Sequence, residues 1–270
     1  MTPDERRASI AELVMARGRQ SVDHLADTFG VSAETIRRDL ARLSEEGRVR
    51  KVHGGVQQAP LHAEGSFDER VAEDAPAKAA IAQRLAQIVH PGETLFVDTG
   101  STTLAAARAL AAIPGLTIVT NAHAVAAAFD ARAHVYCVGG RYRADNRQTV
   151  GPIAIEDLAR FQADRAVLTV AAIGREAGAA DADFDEAQVA RAMIAHARQT
   201  VVLATAAKFA RRAAFQVCRT AEIDLLITDR RPESDLAMDM HAAGGSVLVA
   251  PAPAAGRDET PPAPRIAQPA

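Results

Sequence analysis

Asp98-Thr99-Gly100-Ser101-Thr102-Thr103 is the stretch of this chain best suited to hold a ligand. Gly100 admits close approach of the backbone. Ser101, Thr102 and Thr103 bring three hydroxyls, and a helix starting there would add unpaired N–H groups and the positive end of its dipole. Together these make a cradle for a phosphate. Asp98 would repel the phosphate itself and is better suited to accept from ligand hydroxyls. The stretch is not a Walker loop, because no Gly-Lys-Ser/Thr follows. A capped strand-to-helix turn without a ligand is the plainer alternative. Gly139-Gly140-Arg141 and Lys208 supply further compliant or positive groups.

Catalytic chemistry is harder to find. The eight histidines (His24, His53, His62, His90, His123, His134, His196 and His241) show no HExxH or other compact ligand spacing, and neither cysteine lies in a CxxC, so no metal site is expected. There is no Gly-x-Ser-x-Gly elbow. Asp98, Glu186 and Lys208 would serve as an acid/base set, but the sequence does not place them together.

A second kind of chemistry sits in the first 56 residues. Residues 1–55 carry 10 Lys/Arg against 9 Asp/Glu, whereas residues 37–51 alone hold six basic residues (Arg37, Arg38, Arg42, Arg48, Arg50, Lys51) against three acidic. The net charge of −3 over 270 residues conceals this local basic surface. Helix punctuation around it is legible. Thr2-Pro3-Asp4-Glu5 starts a helix with Ile10, Leu13 and Val14 on one side, ending at Gly18. Ser21 caps a second helix, with Val22, Leu25, Ala26 and Phe29 on one face, that stops at Gly30. Ser32 caps a third, in which Ile36, Leu40 and Leu43 bury one side. Two short helices joined by Gly30-Val31 describe a helix-turn-helix at about 20–39. Residues 48–56, with basic side chains among β-branched ones and a Gly54-Gly55 pair open to positive φ, predict a hairpin wing. Ala33, Glu34, Thr35 and Arg38, early on the third helix, are the candidates to read bases. Arg37, Arg42, Arg50 and Lys51 suit phosphates. A solvated basic helix face with no partner is the competing interpretation.

Elements must hold these groups, and the body predicts them by alternation. From Ala75, helical stripes (Ile81, Leu85, Ile88; then 104–110) alternate with apolar runs at 94–97, 116–119, 134–138, 166–170, 201–203 and 225–227, the pattern of parallel strands with crossover helices. Polar stretches including Thr120-Asn121 and Thr228-Asp229 follow these strands, at the sheet edge where ligands bind. Residues 57–74 read as a linker and the Pro/Ala-rich residues 251–270 as a disordered tail. The expected domains are a winged helix-turn-helix at 3–56 and an α/β body at 75–250. Hydrophobic residues at 48% and charged residues at 24% exclude wholly disordered, collagen-like and coiled-coil chains. The two cysteines, Cys137 and Cys218, make a poor disulfide framework, so a cytoplasmic location is expected. Neither a signal peptide nor a run of ~20 apolar residues is present, so no membrane association is expected.

Ser32-Ala33-Glu34-Thr35-Ile36-Arg37-Arg38-Asp39-Leu40 followed by His53-Gly54-Gly55 closely resembles the signature of the DeoR family of bacterial transcriptional regulators. Glu64-Gly65-Ser66-Phe67 with Arg70, the Asp98 stretch, Thr120-Asn121, Gly139-Gly140, Val150-Gly151, Glu186-Ala187 with Arg191, Lys208-Phe209 and Thr228-Asp229 recur in that family's order over roughly residues 3–232. The resemblance implies a winged helix-turn-helix joined to a sensor domain of ribose-5-phosphate-isomerase-like fold with a mainly parallel sheet. It implies a non-enzymatic repressor of a sugar or glycerol catabolic operon. Its partners would be double-stranded operator DNA and a phosphorylated sugar or polyol, and it would work as a homodimer or homotetramer without a cofactor. The implied DNA contacts are Ser32, Ala33, Glu34, Thr35, Arg37, Arg38, Arg42, Arg50, Lys51 and His53. The implied effector contacts are Asp98, Gly100, Ser101, Thr102, Thr103, Thr120, Asn121, Gly139, Gly140, Arg141 and Lys208. Asp183-Phe184-Asp185 is similar to a stretch of the glycerol-3-phosphate repressor branch. Two positions depart from the family pattern: Thr205 stands where members carry Asp, and Ala190 where they carry a basic residue. The alternative function is a sugar-phosphate isomerase-like enzyme with an appended helical module.

Overall fold

The computed structural model describes residues 1–45, 49–58, 65–209, 211–232 and 234–250. Arg48, His62 and the tail at 251–270 lie outside them. Helix α1 (Pro3–Arg17) begins with a reciprocal capping box, in which Thr2 Oγ1 accepts from Glu5 N–H at 3.2 Å and Glu5 Oε2 accepts from Thr2 N–H at 2.7 Å. The two-residue strand β1 (Gln20–Ser21) leads into α2 (Val22–Phe29), which Gly30 ends in the left-handed region at φ 64°. Ser32 Oγ accepts from Thr35 N–H at 3.2 Å and starts α3 (Ala33–Glu45).

Strands β2 (Val49–Val52) and β3 (Gly55–Gln58) pair antiparallel as the wing, and β3 also pairs with β1, giving the order β1-β3-β2. The Gly pair in the turn divides its work. Gly54 takes φ 71°, whereas Gly55 is needed for close approach, since a Cβ there would lie 2.2 Å from the Gln20 carbonyl oxygen. Ile10, Val14, Leu25, Ile36, Leu40, Leu43, Val49 and Val56 form one buried cluster under the three helices and the wing. Each such side chain contributes about 1.5–3 kcal/mol on burial.

The stretch 57–74, expected as a linker, is partly ordered structure. Gln57 and Gln58 belong to β3, and Phe67–Ala72 is a helix, α4, with its own capping box between Ser66 and Glu69. Helix α5 (Ala75–Ala86) follows. The body then runs β4 (Thr94–Val97), α6 (Ser101–Leu110), β5 (Thr117–Thr120), α7 (His123–Ala126), β6 (His134–Cys137), β7 (Arg141–Arg143), β8 (Gln148–Val150) and α8 (Pro152–Leu158). It continues through β9 (Ala163–Thr169), β10 (Ala172–Gly174), β11 (Gly178–Asp181), α9 (Phe184–Ala195), β12 (Ala197–Leu203), β13 (Phe215–Cys218), β14 (Leu225–Thr228), α10 (Ser234–Ala242) and β15 (Ser246–Val249).

Seven of these strands form one wholly parallel sheet in the order β15-β14-β12-β9-β4-β5-β6. Its inner strands are mostly buried on both faces, while the edge strands β6 and β15 are largely exposed. Leu95 and Val97 of β4 join an apolar cluster with α5 and α6, while Phe96 between them joins another with α8 and α9. The chain winds outward in one direction from β4 and in the other from β9, so the two central strands define a topological switch point, where open α/β sheets leave a crevice at the carboxyl ends. Two small antiparallel sheets, β10-β11-β13 and β7-β8, stand beside the main one. Among the described residues no helix is long and apolar enough to cross a membrane.

Candidate functional site

Two surfaces carry the groups singled out in the sequence. In the first, α3 projects Ser32, Glu34, Arg37, Arg38 and Arg42 outward, Ala33 and Thr35 are half-buried at its start, and the wing exposes Arg50, Lys51 and His53. Glu34 spans Arg37 at 3.5 Å and Arg38 at 3.7 Å, laying both guanidiniums along the helix. A residue without an assigned role in the sequence fixes α3 itself. Asp39 is 4% exposed and takes ion pairs from Arg6 at 2.7 Å and Arg7 at 3.5 Å, clamping α3 to α1. Arg19 Nη2 donates to the His53 carbonyl at 3.1 Å and holds the wing turn.

The second surface lies at the switch point. A chamber there is lined by Thr99, Ser101 and Thr102 after β4, Thr169 at the end of β9, and Thr205 and Lys208 after β12. Arg70, Glu73, Asp74 and Lys78 close it from α4 and the start of α5, with Arg211, Asp181 and Glu186 at the sides. Gly100 is required behind it, because its φ is 144° and a Cβ would meet Thr169 Cγ2 at 2.1 Å. Gly100 gives α6 no side-chain cap, so the amino end of that helix faces the chamber without one. Ala206 N–H donates to Asp229 Oδ1 at 2.7 Å and Lys208 N–H to the Thr205 carbonyl at 2.9 Å, which sets the turn carrying Lys208.

Water centres have about 20 Å³ to move in inside the chamber. It shares Arg70, Asp181 and Glu186 with an outer cleft of about 670 Å³ that continues to Arg143, Asn146, Phe184 and Phe215.

Of the effector contacts expected from the sequence, Ser101, Thr102 and Lys208 meet in the chamber. Asp98 is 3% exposed and Thr103 fully buried behind it, with Thr103 Oγ1 donating to the Gly100 carbonyl at 3.1 Å. Neither lines the chamber or the outer cleft. Thr120 and Asn121 are also fully buried, and Asn121 Nδ2 donates to Gln148 Oε1 and the Thr149 carbonyl, both at 3.1 Å. Gly139, Gly140 and Arg141 lie elsewhere: Gly139 N–H donates to Asp157, Gly140 packs against Val150 and Ala154, and Arg141 pairs with Asp185. The charged groups of the chamber with no expected role as effector contacts are Arg70, Glu73, Asp74, Lys78, Asp181, Glu186 and Arg211.

Asp98, expected to accept from a ligand, lies behind the chamber, and the carboxylates that line it are Glu73, Asp74, Asp181 and Glu186. Glu186 is 7% exposed and accepts from Asn146 Nδ2 and Gln148 Nε2, both at 2.6 Å and both at Oε1, which leaves Oε2 to accept from a ligand. Burial raises its pKa above the ordinary carboxylate value. Burial also holds the pKa of Asp98 well above that range, with Asp181 and Glu186 adding repulsion. Lys78, whose Nζ donates to the carbonyls of Arg70 and Glu73, is pushed down by burial. The acid/base groups Glu186 and Lys208 therefore share one chamber, with Asp98 behind it. Among the described residues no three His, Cys, Asp or Glu side chains cluster as a metal site.

Comparison with known proteins covers both regions. Residues 6–59 match the DeoR-like helix-turn-helix domain and residues 73–230 the DeoR C-terminal sensor domain. The HTH-type transcriptional repressor CsqR of Escherichia coli K12 is 34% identical over 87% of this chain and 91% of its own. The glycerol-3-phosphate regulon repressor of the same organism is 30% identical over 86% of this chain and 93% of its own. Among solved structures, ribose 5-phosphate isomerase A from Methanocaldococcus jannaschii overlays on 49% of this chain and 53% of its own, at 15% identity and a TM-score of 0.36, a likeness that carries no chemistry. The sensor body is a mainly parallel α/β domain preceded by a winged helix-turn-helix, and this chain belongs to the DeoR family of helix-turn-helix transcriptional regulators.

Proposed function

We propose that this regulator represses a sugar or glycerol catabolic operon and that a phosphorylated sugar or polyol in the chamber changes its grip on operator DNA. One observation carries the ligand half: the uncapped amino end of α6, with Ser101 and Thr102, faces Lys208 across the sheet's switch point, beside Arg70, Lys78 and Arg211. The name of the glycerol-3-phosphate regulon repressor among its relatives supports the same ligand class. Ala33, Glu34, Thr35 and Arg38 would read bases while Ser32, Arg37, Arg42, Arg50, Lys51 and His53 position the head on the backbone. A homodimer or homotetramer on a repeated site completes the reading.

Paired ligands test it. Glycerol 3-phosphate and ribose 5-phosphate should raise the melting temperature where glycerol and ribose do not, since a ligand at 100 times its Kd adds about 2.7 kcal/mol. Equal responses to the unphosphorylated partners would remove the phosphate role. DNA recovered by the protein from a random-sequence pool should bind with an affinity that falls by about 0.9 log unit per log unit of salt for each phosphate neutralised.

Glu186 and Lys208 in one chamber favour a second reading, an isomerase-like activity. At the level of the family the chain groups with regulators rather than enzymes. Turnover of ribose 5-phosphate by the full chain, lost in Glu186→Gln, would establish the enzymatic reading instead.

A further inference from the structure

Helix α4 is both a wall of the chamber and the first described element after the wing, from whose strand β3 it is separated by residues 59–66. It is six residues long, too short to hold together alone in water. Phe67 is its one buried side chain. The guanidiniums of Arg70 and Arg147 lie 5.7 and 5.6 Å from that ring.

Polar clamps do the rest. Arg147 donates to both oxygens of Asp68 at 3.1 Å, Arg70 donates to the Asn146 side chain, Arg211 pairs with Glu73 at 3.3 Å, and Lys78 Nζ donates to the last carbonyls of the helix. Asp74, which joins α4 to α5, sits in the left-handed region at φ 51°, where a non-glycine residue is held under strain.

Three of those clamps are also cations of the chamber. Arg70, Lys78 and Arg211, with Lys208, face the carboxylates Glu73, Asp74, Asp181 and Glu186, so the charges of the chamber are already balanced. A phosphate dianion entering it meets those four carboxylates and must compete with them for the cations. It must repel Glu73 and Asp74 and take their cations, and one wall has to yield. The strand ends and α6 are rooted in the buried core, whereas α4 hangs on the clamps.

Resting on the reading of the chamber as a phosphate site, we infer that an anion entering it displaces Glu73 from Arg211, draws Arg70 from Asn146 and unseats α4, which passes occupancy on to the stretch that leads to the wing. Ligand binding and α4 seating then oppose one another thermodynamically. A clamp outside the chamber, such as Asp68–Arg147, works against the ligand, and loosening it should strengthen binding.

The test is hydrogen–deuterium exchange on the full chain with and without saturating inorganic phosphate, with occupancy read by calorimetry. Amides of residues 65–74 should exchange several-fold faster with phosphate while those of β4 and β9 do not. Asp68→Asn, an exposed and nearly isosteric change, should speed α4 exchange without ligand and tighten phosphate binding about two- to fivefold, and Arg147→Gln should act in the same direction. Phosphate binding that leaves α4 exchange unchanged or slower overturns the inference, as does Asp68→Asn binding phosphate no better than the parent. Failure of phosphate to bind the parent chain at all is a separate result, which removes the phosphate-site reading and this inference with it.

Discussion

In the head, Arg37, Arg38, Arg42, Arg50 and Lys51 are exposed on one helix and one hairpin within residues 37–51. In the body, Arg70, Lys78 and Arg211 come from separate parts of the chain and are tied to Asn146, to helix-end carbonyls and to Glu73. Exposed cations, Arg37 and Arg38 beside Glu34 included, still act on any polyanion at long range, and their pull is screened by salt. Cations that are themselves buried or half-buried and held by partners inside the chamber respond only to a ligand that replaces what they hold. Broad attraction and selective sensing thus use the same residue types in different surroundings.

That contrast breaks most completely if the basic surface is removed. Arg37, Arg38, Arg50 and Lys51 changed together to Ala should lower the salt slope of operator binding by about 2.7 log units per log unit of salt for each head bound, at about 0.9 for each phosphate that Arg37, Arg50 and Lys51 no longer neutralise. Phosphate binding by the body, followed by calorimetry, should be unaffected. A change in both would show that the two surfaces are not independent.

Leu40→Ala removes a side chain 2% exposed in the small head core. A cost of about 2–5 kcal/mol is expected there. Melting followed by circular dichroism should show the head lost first and the sheet of the body retained. Lys208→Met should weaken binding of a phosphorylated ligand roughly 10- to 150-fold, the about 1.5–3 kcal/mol of a charged hydrogen bond, and leave ligand-free operator binding unchanged.

The smallest effect concerns pH. Asp98 keeps its proton to higher pH in the fold than in the unfolded chain, because burial penalises its charge. Stability is therefore lost as pH rises from the ordinary carboxylate range through the folded pKa. Asp98→Asn removes the penalty, so it should raise Tm by about 2–4 °C at pH 8, as about 1 kcal/mol would, with the gain gone near pH 4. A gain equal at both pH values would mean that the charge of Asp98 is not what costs stability.

How much could be read in advance follows the range of the interactions. Thr2, Ser21, Ser32, Gly18 and Gly30 cap or end helices through bonds spanning three to five residues, and the sequence marked all five. Inner strands such as 94–97 and 201–203 were visible as apolar runs because they are buried on both faces. Strand β11, Gly178-Ala179-Ala180-Asp181, was not, since two alanines buried against β10 and β13 leave no hydrophobic pattern to notice. Helix α4 was missed for a different reason: Gly65 and the polar residues before it read as a linker, although Ser66 and Glu69 spell a capping box.

The sequence by itself determined the capped helices, the winged head with its concentrated basic charge, the parallel body and the family, because each depends on neighbours along the chain or on motifs in a fixed order. Tertiary structure alone decided which polar groups meet. It buried Asp98, Thr103, Thr120 and Asn121, and it brought Arg70, Lys78, Glu186, Lys208 and Arg211 to one chamber. Those five are spread over 142 positions, 70 to 211 inclusive. Their meeting is set by the strand order at the centre of the sheet, which no local spacing encodes.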